Sequence, residues 1–221
     1  PIRIWSCKNN EHEAQRTAAE IQYLVQAHSL PYSEFAILFR GNHQSRPLEK
    51  ELQLMKIPYH ITGGTAFLDR GEVKDVLAWL RVIANPDDDA AFLRAVTSPK
   101  REVGSTSLEK LAQLAHNAHV PLSLAAQNSS YMSALSARPA AGLAEFSRLI
   151  VKLRGQSKNG KAADIVRAVI NESGILAQLR LETKNEALFL RRKENLDELA
   201  QWFESERRPS GAGDLAAQMA L

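Results

Sequence analysis

The sequence carries a single cysteine, Cys7, in 221 residues. That excludes an intramolecular disulfide and any zinc site built on a cysteine cluster. No apolar run approaches the ~20 residues needed to cross a bilayer, so no membrane partner is expected. There is no Gly-x-Ser-x-Gly elbow, which removes the hydrolase arrangement built on that turn. With 11 Gly and 9 Pro, collagen-like and low-complexity classes are out. Neither sign of charge dominates: 28 Lys and Arg against 25 Asp and Glu leave +3. That mildly basic balance permits nucleic acid as a partner without demanding it. No signal peptide is in view, so a reducing cytoplasm is the expected compartment. The first residue is Pro1 and not Met, which reads as a processed or excised piece. What is present is globular, 44% hydrophobic and 24% charged. A chain of this length can bury roughly 70% of its unfolded surface, so it needs neither staples nor a structural metal.

The opening sixty or so residues read as alternating strands and helices. Ile2-Arg3-Ile4-Trp5 alternates apolar and polar, as a strand does. Glu11 to Ala27 carries Ala14, Ala18, Ile21, Tyr23, Leu24 and Val25 among polar residues and reads as a helix with one apolar face. Phe35 to Phe39 is a continuous apolar run of strand length, the pattern of a strand covered on both faces. Pro47 suits the first turn of a helix continuing through Leu48 to Met55. Tyr59-His60-Ile61 reads as a third strand, closed by Gly63-Gly64. The order βαβαβ is the unit of an open parallel α/β sheet. Three strands leave edges to cover, so the remaining strands are expected outside this chain.

From Gly64 onward only helical patterns remain, so the chain reads as α/β over 1–63 plus all-α over 64–221. Helices are predicted over Val73–Ile83, Ala90–Val96, Leu108–Ala118, Leu143–Leu153, Ala162–Ile170 and Glu186–Glu204. Asn85-Pro86-Asp87-Asp88-Asp89 ends one helix and caps the next. Thr106 with Glu109 reads as a capping box. Leu188, Leu190, Leu196, Leu199 and Trp202 form an apolar stripe on the last helix. Ala137–Ala141, Gly155–Lys161 and Arg207–Gly213 read as linkers.

Several motifs dissolve on inspection. Gly155–Lys161 follows the phosphate-loop pattern until Ala162 stands where a hydroxyl should hold Mg²⁺, and a helix precedes it where a strand is needed. His116 and His119 share a helical face but lack a third ligand at helical spacing. Cys7 has no motif around it. Asp87–Asp89 is explained by capping.

Two stretches carry more. Arg40-Gly41-Asn42-His43-Gln44-Ser45-Arg46 follows the apolar run directly, where open α/β sheets bind ligands. Its donors suit phosphate and sugar, although a solvated loop remains the plain alternative. Thr97-Ser98-Pro99-Lys100-Arg101-Glu102-Val103-Gly104-Ser105 joins two helices by a tight turn. Turn amides, a helix N-terminus and two cations suit a phosphate gripped without sequence readout. That is a helix-hairpin-helix reading, and a plain αα-hairpin competes with it.

Together these stretches resemble the Rep/UvrD/PcrA family of superfamily 1 DNA helicases, nearest its Rep branch. The match runs from Phe35 to Arg46, then through Ile57-Pro58-Tyr59, Gly63-Gly64-Thr65-Ala66-Phe67 and Glu72-Val73-Lys74-Asp75. It continues through Leu80 to Asp89 and Pro99-Lys100-Arg101-Glu102-Val103-Gly104, in the family's order and spacing. Residues 1–120 carry it.

The resemblance implies a partial RecA-like motor domain, 2A, over 1–63 and most of a helical 2B domain over 64–221. It implies an ATP-dependent 3′→5′ helicase that moves on single-stranded DNA and unwinds duplex in replication or repair. Arg40, Gly41, Asn42 and Arg46 would touch the single strand. Lys100, Arg101, Val103, Gly104 and Ser105 would hold duplex, with Glu102 weakening the grip. Gly63 and Gly64 would form a hinge. ATP and Mg²⁺ belong to the full-length enzyme and none to this piece, which lacks the Walker motifs, any catalytic residue and any metal ligand set. It is therefore expected to be inactive alone. The competing function is a non-catalytic autoinhibitory and protein-interaction module. Its partners would be replication or repair proteins, or a second copy of the chain. An independent nucleotide-binding enzyme on Gly155–Lys161 is a third and weaker reading.

Overall fold

The structure, a computed structural model, describes residues 2–40, 44–61 and 67–204. Gly41, Asn42, His43 and the Gly63–Gly64 pair lie outside the described residues, as does the Arg207–Gly213 linker. The chain divides after Arg70 into two compact units. Among the described residues every regular element is helical.

In the first unit α1 (Asn10–His28) starts where the Asn9 side chain accepts the His12 N–H at 2.9 Å. Glu11 and Glu13 occupy its first turn, favourable against the helix dipole. It buries Ala14, Ala18 and Ile21, and packs on α2 (Ser45–Leu54), whose first turn holds Pro47. The core is Ala18, Ile21, Leu52 and Ile57, with Phe35, Ile37 and Tyr59 packed against it.

The expected parallel sheet is not formed among the described residues. The reason is that a strand exists only by pairing with another, and the runs at 2–5, 35–39 and 59–61 do not pair. Phe35 is nonetheless extended, at φ −104 and ψ 137. The two-residue alternation also survives as exposure. Phe35 and Ile37 face the helices, whereas Ile2, Ile4 and Leu38 stand 96%, 93% and 94% exposed. One apolar side of these runs is covered and the other is bare.

The second unit is built around α3 (Gly71–Ala84). Val73, Val76, Trp79, Leu80, Val82 and Ile83 are all fully buried, apolar nearly all round as a central helix must be. Against it pack α4 (Asp89–Thr97), α8 (Ala137–Ser157), α9 (Ala162–Glu172) and α11 (Glu186–Glu204). The remaining helices are α5 (Ser105–Ala118), α6 (Leu122–Ala125), α7 (Ser129–Ser133) and α10 (Ile175–Glu182). Phe146 of α8 meets Trp79 and Phe92 edge-on, with centroids 4.8 and 5.4 Å away.

The aspartate run does cap α4. Asp88 accepts the Ala91 N–H at 2.9 Å and pairs with Arg81 at 2.6 Å, while Asp89 accepts the Leu122 N–H at 2.8 Å. At the same C-terminal end of α3, Arg154 donates to the Val82 and Ile83 carbonyls at 2.8 and 3.2 Å. Burial lowers the pKa of that guanidinium. Glu72 and Asn195, both buried, join α3 to α11 through a 2.7 Å hydrogen bond.

Three local readings change. Ala137–Ala141 is not a linker but the start of α8, because Pro139 falls in the first turn, where no intrahelical N–H is needed. The Thr106–Glu109 capping box is not used: Gly104 is the N-cap, so the helix starts at Ser105. The apolar stripe of α11 holds only in its second half. Leu196 and Leu199 are buried, but Leu188 and Leu190 remain 43% and 48% exposed.

Candidate nucleic-acid interface

The first candidate surface leads into α2. Arg40 is exposed, and its N–H donates to Gln44 Oε1 at 3.0 Å. Arg46 sits in the first turn of α2. Behind that turn the buried Glu49 carboxylate accepts from Ser45 Oγ at 2.9 Å and from the Phe67 N–H at 2.7 Å. It also accepts from the Tyr59 hydroxyl at 3.5 Å. Burial, then the Glu49 charge, push the Tyr59 pKa up to about 12. One carboxylate thus ties the turn bearing Arg46 to both neighbouring segments of its unit.

The second candidate surface is the connection from α4 to α5. Its start is fixed from α3: Trp79 Nε1 donates to the Ser98 carbonyl at 2.9 Å, and Ser98 Oγ donates to Asp75 at 2.7 Å. Pro99 follows a cis peptide bond and is buried. The Lys100 N–H donates to Gln178 Oε1 at 2.6 Å, leaving the Lys100 residue exposed.

Arg101 turns inward. Its guanidinium donates to the carbonyls of Pro99 and Ser173 at 2.7 and 2.8 Å, and to Ala95 at 3.4 Å. It lies over the Trp79 and Phe146 rings at 4.8 and 5.5 Å. Burial lowers its pKa to about 10. Glu102 then adopts the left-handed region at φ 58, Val103 is half-buried, and Gly104 and Ser105 are exposed. The turn is held from inside by Arg101 and presents Lys100, Gly104 and Ser105 outward. Arg40 and Arg46 belong to the first unit and this turn to the second.

The tempting motifs find ordinary roles. Gly155–Lys161 begins inside α8, and Lys161 is the N-cap of α9. His119 is the left-handed C-cap of α5, its ring 6.3 Å from that of His116. No three His, Cys, Asp or Glu side chains among the described residues group as a metal site, nor is any described helix long and apolar enough to cross a membrane.

Residues 1–212 match the UvrD-like helicase C-terminal domain. The chain belongs to the UvrD-like helicase C-terminal domain family. It is 36% identical over 202 residues to the ATP-dependent DNA helicase Rep of Escherichia coli K12, covering 91% of this chain and 30% of that protein. It is 37% identical over 197 residues to the ATP-dependent DNA helicase PcrA of Bacillus subtilis, covering 89% and 26%. It is 34% identical over 215 residues to DNA helicase II of Haemophilus influenzae, covering 97% and 29%. The chain therefore spans under a third of the length of these relatives.

Two residues that seat the turn of this UvrD-like domain carry little signal in the sequence. A Cβ on Gly142 of α8 would lie 2.3 Å from the Arg101 carbonyl oxygen and 3.2 Å from Val103 Cγ2. Gly174, at φ 88, passes Pro99 Cγ. Gly142 lies just outside the helix predicted over Leu143–Leu153, and the sequence offers no local sign of what it packs against. What it approaches is 41 positions away in sequence (142 − 101), beyond any local pattern.

Proposed function

We propose that this UvrD-like domain is part of an ATP-dependent 3′→5′ DNA helicase that moves along one strand and unwinds duplex during replication or repair. Residues 1–63 act as part of the 2A motor domain and residues 64–221 as most of the 2B domain. Gly63 and Gly64 serve as the hinge between them. Arg40, Gly41, Asn42 and Arg46 contact the single strand. The α4–α5 turn works as a helix-hairpin-helix that holds duplex phosphates through Lys100, Val103, Gly104 and Ser105. Arg101 contributes from behind, by holding the turn. Such contacts fix position without reading sequence.

One observation carries the reading: a turn pinned inside by Arg101 offers a cation, a helix N-terminus and a hydroxyl outward, within a chain 36% identical to a Rep helicase. ATP and Mg²⁺ are assigned to the rest of the full-length enzyme. Gly155–Lys161 does not fit them, since α8 runs into it and no strand aims it at a phosphate.

The test is fluorescence anisotropy of the chain on a labelled single-strand/duplex junction at two salt concentrations. Binding should be salt-sensitive, and Lys100→Ala should reduce the salt slope by about 0.9, because one phosphate fewer is neutralised. No binding at low salt would overturn the reading.

A second reading has its own observation. Leu181, Leu188 and Leu190 stand 86%, 43% and 48% exposed around the α10–α11 corner. An autoinhibitory or protein-interaction role, toward replication or repair proteins or a second copy, would use that corner. Deleting residues 64–221 from the full-length enzyme separates the two. Faster unwinding favours inhibition, and abolished unwinding favours the duplex clamp.

A further inference from the structure

Glu102 places an acid in the middle of the turn that presents Lys100, Gly104 and Ser105. Its carboxylate lies 3.7 Å from Nη1 of Arg138, and the two side chains are 70% and 86% exposed. Arg138 belongs to the first turn of α8. Gly142, four residues on, shares its helix face and is where the Arg101 carbonyl meets the helix. The close approach at Gly142 therefore fixes the turn over the face of α8 that carries Arg138. Glu102 spans the short gap that remains.

An exposed pair at this distance contributes little to folding. A backbone phosphate presents the same single charge on two non-bridging oxygens, and the arginine fork can donate to both at once. We propose that Arg138 is a further duplex-phosphate contact of this domain, and that Glu102 is its resident counter-ion, displaced when DNA binds. The inference rests on the duplex-holding reading of the turn given above. Glu102 then acts as an internal competitor. It lowers affinity, and it makes the contact easy to release, which suits a surface that must leave one phosphate for the next.

The 221-residue chain is titrated against a short labelled DNA duplex at about 50 and about 200 mM salt, the range over which phosphate contacts show their salt dependence. Glu102→Gln, Arg138→Gln and the double variant are compared with wild type, with Lys100→Ala as reference. Glu102→Gln should tighten binding about three- to tenfold at the lower salt, the size expected from one charge a few ångströms away in water. Arg138→Gln should weaken binding and reduce the salt slope by about 0.9.

The gain from Glu102→Gln should disappear in the Arg138→Gln background, because the acid acts through that arginine. Both side chains are exposed, so every variant should keep the wild-type melting temperature. Three results would overturn the inference. In the first, Lys100→Ala weakens binding but Arg138→Gln does not; the turn then holds duplex without Arg138. In the second, the Glu102→Gln gain persists undiminished without Arg138, so the acid acts through net charge alone. In the third, neither wild type nor Glu102→Gln binds duplex at low salt, and the duplex-holding reading falls together with this one.

Discussion

Tyr59 illustrates how one residue reports on the first candidate surface. Burial, the charge of Glu49 and the hydrogen bond to it raise its pKa from 10.0 to about 12. The folded value lies above the unfolded one, so the neutral phenol favours the fold. That contribution is complete below about pH 10 and is lost as pH rises toward 12. Arg101 acts in the same window with the opposite sign. Burial lowers it from 12.5 to about 10, so the cost of burying its charge recedes as pH rises. Comparing wild type with Tyr59→Phe removes this background. Wild type should lose stability relative to Tyr59→Phe between about pH 10 and 12. Phenolate absorbance should show Tyr59 ionising late, and earlier in Glu49→Gln. Identical alkaline unfolding curves for wild type and Tyr59→Phe would show that Glu49 does not hold the phenol. The turn bearing Arg46 would then lack this anchor.

At the scale of elements, the same substitution in one helix should have opposite effects at two positions. Gly142→Ala in α8 gains about 1 kcal/mol of helix propensity. Its methyl group, however, meets backbone at 2.3 Å, and overpacking of that kind costs about 1–3 kcal/mol. Gly155→Ala meets nothing within 4 Å and should stabilise by about 0.5–1 kcal/mol. Thermal melts of the two variants check the signs. Gly142→Ala should also weaken duplex binding, because the α4–α5 turn must shift. A stabilised Gly142→Ala would mean that the turn is not seated on α8. What was legible beforehand follows the same division. Helices with local stop and start signals, such as α4 behind Asp88 and α11 from Glu186, were readable because their causes lie within a few residues. Arg40, Lys100 and Gly104 were readable as charge and turn chemistry. The seat at Gly142, the inward course of Arg101 to Ser173 and the Glu49–Phe67 bond were not, since each joins residues far apart in sequence. The strand patterns were real as alternation, but alternation says only which side chains share a face. Pairing needs a neighbour.

For the whole molecule the bare side of the first unit is the telling feature. Ile2, Ile4 and Leu38 are almost wholly exposed, while Phe35 and Ile37, on the same run as Leu38, are packed. An apolar run covered on one side is half of what a parallel sheet buries. The chain spans 30% of the Rep relative, which leaves ample sequence in a full-length enzyme to supply the missing strands and the second covering layer. On that proposal Leu38 is a surface residue in the 221-residue chain and a core residue in the complete protein. Leu38→Ser should therefore change the stability of this chain by no more than about 0.5 kcal/mol, as ordinary surface substitutions do. In the full-length enzyme the same change should cost about 2–4 kcal/mol, the loss of a buried leucine plus the cavity it leaves. Denaturant unfolding of both proteins, each with and without the substitution, measures the difference directly. A small effect in both would mean that nothing covers this face in the complete enzyme, and the assignment of residues 1–63 to a motor-domain sheet would fail. A large effect in both would place Leu38 inside a core already formed by this chain, which its exposure contradicts.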